Sequence, residues 1–125
     1  MNRPIVIART AVLVAGVLQL ILGGLFWSGI ATNLIPVHAA IGTILVLALW
    51  TLAYFAARAG APRGLVIFTV VWGLILPVFG SLQTGILPGS LHWIIQVVHL
   101  LLGLSAMALS KILADAAIRA RTVVA

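Results

Sequence analysis

The seven cations and one carboxylate of this 125-residue chain are placed so that four long stretches carry no formal charge, at residues 10–30, 34–57, 64 to about 83, and 91–110. A helix needs about 20 predominantly apolar residues to cross a hydrocarbon core of about 30 Å. All four stretches meet that length. With 64% hydrophobic residues, 6% charged residues and a mean hydropathy of +1.33, the composition lies far from that of a soluble globular domain. The pattern predicts an all-α membrane protein of four transmembrane helices, at about 8–30, 34–58, 63–83 and 90–113, with a cytoplasmic tail at 114–125. Brief connections between adjacent spans predict one domain, an up-down-up-down antiparallel bundle.

The net charge of +6 does not point to nucleic acid, because the cations bracket the spans instead of forming a basic patch. Arg3 and Arg9 precede or open the first, Arg58 and Arg63 lie between the second and third, and Lys111, Arg119 and Arg121 follow the fourth. All seven therefore fall on one side, and the positive-inside rule predicts a multi-pass protein of the inner (plasma) membrane with both termini cytoplasmic. The connections around 28–33 and 80–88 carry no charge and are expected to face outward. The first span is longer than a signal-peptide core and lacks a small-residue cleavage site after it, so it reads as retained. With no cysteine, a disulfide, a thiolate-ligated metal and a thioether-linked haem are all excluded.

Inside these spans the informative residues are His38, His92 and His99. An imidazole in a bilayer loses water and must find a partner, which makes it a functional-site candidate; a neutral imidazole commonly serves a metal or haem iron. On the fourth span His92, Gln96, His99, Gly103, Ala106 and Ser110 share one helical face, a polar and small stripe that must look into the bundle. His92 and His99 are separated by roughly 10.5 Å of helical rise, so one metal cannot take both. Gly16, Gln19 and Gly23 form a similar stripe on the first span, and ordinary helix packing would use it equally well. His38 follows Pro36 into the second span, with Gly42 one turn further along. Pro77 should kink the third, and beyond Lys111 the fourth helix should continue as a surface-lying tail with an Asp115–Arg119 pair.

In an up-down bundle spans two and four run the same way, so their histidines can face each other. Two histidines on facing helices can grip one non-covalent haem b, with Gly16, Gly23, Gly42 and Gly103 making room for the ring. Gln96 could steady a ring N–H, with Gln19 and His92 as further polar groups at the site. Depth favours His92 as the partner of His38, and helix tilt allows His99; spacing leaves both open. The bland alternatives are a hydrogen bond from His99 to Gln19 and interfacial placement of His92 beside Trp93. A small transporter or proton relay would also use intramembrane histidines, although the spans hold no carboxylate to couple a cation. A membrane subunit without chemistry is the remaining alternative.

The segments LQLILGG (residues 18–24), VHAAIG around His38 and IIQVVHLLLG around His99 resemble one half of the haem A synthase family, whose eight spans form two similar four-helix bundles. In that family each half presents one histidine near the start of its second helix and one on its fourth. The resemblance thus implies His38 and His99 as axial ligands to haem b. The catalytic half of the family carries a Glu one turn before the ligand histidine and an Arg directly after it; Ile35 and Ala39 stand there in this chain. What is implied is accordingly a haem b protein of electron transfer or haem handling and not an oxidising enzyme. Membrane lipid and haem are its expected partners, together with a quinone or other redox partner. A homodimer through the small-residue stripes would recreate eight spans.

Overall fold

The computed structural model describes residues 2–124 and folds them into four helices, α1 (Arg3–Trp27), α2 (Ile35–Arg58), α3 (Arg63–Leu82) and α4 (His92–Val124). Each is long and apolar enough to cross a membrane. Single 3-10 turns at Thr32–Leu34 and Gln83–Gly85 lie in the two longer links.

Local chemistry explains where the helices stop. At the end of α1 the Ser28 hydroxyl donates to the Gly24 carbonyl (3.1 Å), and Gly29 takes the left-handed conformation (φ 73°) that turns the chain away. After Arg58 the same device recurs: Gly60 is left-handed (φ 86°) and the Ala61 N–H reaches back to the Ala56 carbonyl at 3.0 Å. Pro62 follows, so α3 begins anew instead of continuing α2. Pro77 sits inside α3, which runs on as one helix to Leu82.

The start of the chain is more helical, and the stretch beyond Lys111 more buried, than charge alone suggests. α1 starts at Arg3 and not near residue 8, with Pro4 in its first turn, where the missing N–H breaks no helical bond. The reason is packing. Ile5 and Ala8 are buried in a cluster with Leu52, Ala53 and Ala56 of α2, Ala61, and Leu113, Ala114 and Ala117 of α4. The stretch expected to lie on the surface beyond Lys111 therefore continues α4, and its small residues close the bundle. Asp115 pairs one turn back with Lys111 (2.8 Å) instead of forward with Arg119, which puts the cation toward the helix N-terminus of the pair.

A second cluster, Val12, Ala15, Leu45, Leu49 and Ala106, continues the core toward the other end. α2 and α4 touch along with every pair of neighbours in the bundle, whereas α1 and α3 have no contact among the described residues. The cross-section is thus a rhombus with α2 and α4 on its short diagonal. On the α3 side, Trp50 crosses from α2 and donates its indole N–H to the Val70 carbonyl at 3.1 Å. Gly73 leaves the space: a Cβ there would lie 2.5 Å from the indole nitrogen.

Gly73→Val should therefore displace Trp50, break its hydrogen bond and destabilise the bundle by about 1–3 kcal/mol, the usual range for overpacking. Thermal unfolding in detergent with tryptophan emission as readout checks this. Gly64→Val, where a Cβ meets nothing within 4 Å, is the control expected to change neither.

Candidate functional site

Pro36 sets the first turn of α2, and the next turn carries His38. α4 opens at His92, and two turns later its inward stripe presents His99. Because α2 and α4 share the short diagonal, these two rings come together, with centroids 6.2 Å apart and planes at 44°. His92 does not take part. Its Nδ1 lies 3.3 Å from the Ile86 carbonyl, so it ties the α3–α4 link to the start of α4. The first turns of α4 rise beside that link, and the level of His38 is met by His99.

Two phenylalanines complete the arrangement. Phe26 of α1 sets its ring edge-on to His38 (5.4 Å, 63°), and Phe79 of α3 stacks on His99 (6.0 Å, 13°). Each of the four helices thus contributes one ring. Gly80 permits this closeness, since a Cβ there would sit 3.3 Å from His99 Cε1. Sequence reasoning missed Phe26, Phe79 and Gly80. A phenylalanine at the outer end of an apolar helix carries no period or motif that separates it from a lipid-facing one.

The polar atoms of the site are unusual in their lack of partners. His38 Nδ1, His99 Nδ1 and Gln19 Oε1 are all buried without a hydrogen bond, and each such atom costs about 1–3 kcal/mol. The bond from His99 to Gln19 that would make these residues mere packing is not formed. Gln19 instead lays its amide over Gly42, whose Cβ would meet Gln19 Nε2 at 2.7 Å, and Met107 fills the notch at Gly16 in the same way. These two glycines make room for protein side chains. Gly23 and Gly103 are different, for nothing lies within 4 Å of a Cβ at either. Gln96 is half-buried one turn before His99.

No group of three or more His, Cys, Asp or Glu exists among the described residues, so any ion held here rests on a pair of imidazoles. The spacing suits that role. A metal sits about 2 Å from a ligating imidazole nitrogen, so two rings on opposite sides of one ion have centroids roughly 6 Å apart. The orphaned nitrogens, the open glycines and the ring separation together fit a group taken between two histidines. Comparisons with protein-family models, curated proteins and solved structures find no match to this chain.

If Gln19 has no protein partner for its carbonyl, Gln19→Leu should leave the ligand-free protein unchanged or more stable, by about 1 kcal/mol. Chemical or thermal denaturation of haem-free protein in detergent measures it. A loss of stability of that size would instead mean that Gln19 serves as interhelical glue.

Proposed function

We propose that this chain is an integral protein of the inner (plasma) membrane whose four helices cross in alternating directions, and that it holds haem b non-covalently between His38 and His99. The alternation is supported by the order of contacts. Near the inner end Ile5 of α1 shares a cluster with Leu52 and Ala56 of α2; further along, Val12 shares one with Leu45 and Leu49; at the outer end Phe26 meets His38. α1 therefore rises as α2 descends. Large apolar side chains face outward on all four helices, among them Ile7, Ile21, Ile44, Ile67, Leu74 and Leu101, and a surface this apolar calls for lipid. The seven cations mark the cytoplasmic end and the uncharged links the outer one.

The observation that carries the functional reading is the pair of imidazoles, one from each helix of the short diagonal, 6.2 Å apart and without hydrogen-bond partners at their buried nitrogens. The resemblance of VHAAIG and IIQVVHLLLG to half of haem A synthase supports the same two residues. Bound haem supplies one-electron chemistry at its iron. The protein's part is to present two neutral imidazoles, and Phe26 and Phe79 hold those rings in place. Gly23 and Gly103 leave open space beside their helices, and Gln19 and Gln96 bring polar groups to otherwise apolar surroundings. Two protein ligands leave no open position for substrate or oxygen, and Ile35 and Ala39 offer neither acid nor cation to move a proton. Electron transfer to a quinone or protein partner, or haem handling, follows more naturally than oxidation of a substrate.

Protein purified from haem-replete cells should show a Soret band, with sharp alpha and beta bands on dithionite reduction. His38→Ala and His99→Ala should each lose this low-spin spectrum, whereas His92→Ala should keep it. A colourless wild-type preparation that takes up no added hemin would defeat the proposal and leave the pair to a proton relay, a transporter or interhelical packing.

A further inference from the structure

At the end of the bundle opposite the histidines, a groove of about 440 Å³ runs between α1 and α2. Pro4, Ile7 and Ala11 form one wall, and Ala48, Thr51 and Phe55 the other. The Thr51 hydroxyl is spent on the Leu47 carbonyl at 2.8 Å, so the walls offer no free hydrogen-bonding group. Arg3 lines the groove at its inner extremity; it is exposed, and among the described residues no side-chain hydrogen bond or ion pair engages it. Arg58 lies one turn beyond Phe55 on the other wall and touches only the Tyr54 hydroxyl, at 3.4 Å. From Arg3 to Ala11 the helix rises about 12 Å, close to the roughly 15 Å depth of one leaflet.

We propose that this groove is a binding site for one anionic glycerophospholipid of the cytoplasmic leaflet, with an acyl chain between α1 and α2 and the headgroup phosphate at Arg3. The fit is one of charge and length together. A chain-length apolar trough ends at an unpaired cation at the depth where a headgroup lies, and all seven cations of the protein occupy that end. Anionic lipid is drawn to such positions by each nearby Lys or Arg, and guanidinium meets phosphate through paired hydrogen bonds. The proposal rests on the membrane reading but not on haem, and the two sites lie at opposite ends of α1.

Native mass spectrometry of detergent-solubilised full-length protein, titrated with phosphatidylglycerol or with phosphatidylcholine of the same chains, tests it. Phosphatidylglycerol should bind more tightly. Arg3→Gln should weaken it about fivefold and weaken phosphatidylcholine less, because choline offsets the charge of its phosphate, whereas Arg63→Gln, outside the groove, should have no effect. Ala48→Leu should reduce binding of both lipids by filling the trough. Equal affinity for the two lipids, or equal losses for Arg3→Gln and Arg63→Gln, would overturn the site while leaving the membrane reading intact. Recovery of the protein in the soluble fraction would overturn both.

Discussion

Small side chains set how close the helices approach, and the rest of the structure follows from that spacing. At the inner end Ala8, Ala53, Ala56, Ala114 and Ala117 surround only three large buried residues, Ile5, Leu52 and Leu113. Dispersion contacts fall away within an ångström of extra separation, so such an interface holds only if backbones come near. Alanine allows this without losing helix propensity. Because small residues line both α2 and α4, those helices meet across the diagonal and α1 and α3 are held apart. A bundle of larger residues at the same positions would open the diagonal, and His38 and His99 would no longer face one another.

The division of the chain into helices was legible from charge alone, since a residue that must be hydrated cannot lie within an apolar span. What charge could not convey was how far a helix continues past its first cation. Arg3 and Lys111 are good helix formers, and the neighbours Ile5, Ala114 and Ala117 have core to bury into, so packing and not hydration fixes both ends of the chain. The histidine pair shows a second limit. Helical rise placed His92 and His99 on one stripe correctly, yet which of them reaches His38 depends on the stagger between α2 and α4, a tertiary quantity set by the link over residues 83–91. The same holds for the glycines. Gly16, Gly23, Gly42 and Gly103 look alike in sequence, and only the reach of Met107 and Gln19 distinguishes the two that are filled from the two that are open.

Polar side chains elsewhere in the bundle are satisfied by the shortest available route. Thr43, Thr51, Thr69 and Ser105 each donate to a carbonyl one turn earlier, as hydroxyls do in helices. Trp50 and Trp72 donate across to the carbonyls of Val70 and Leu102. Among the described residues four buried side-chain polar atoms lack a partner: Arg9 Nε lies apart from the histidines, and the other three belong to Gln19, His38 and His99. The deficit is thus concentrated around the histidine pair, in residues drawn from α1, α2 and α4. Buried groups left unsatisfied in a native fold call for a specific explanation, a bound water or ion among them.

The separation of the two imidazoles bears on what that deficit is for. Were the histidines retained only to bind the helices together, the simplest arrangement would be an N–H···N hydrogen bond between them. Such a bond has a donor–acceptor distance of about 2.9 Å and would bring the ring centroids to roughly 5 Å. They stand at 6.2 Å, about the distance at which one metal atom fits between two nitrogens. Phe26 and Phe79 each pack against one of the two imidazoles from their own helices. Gly80 sets His99 back against α3 where any side chain would push it forward. The rings therefore stand further apart than a direct hydrogen bond between them would leave them.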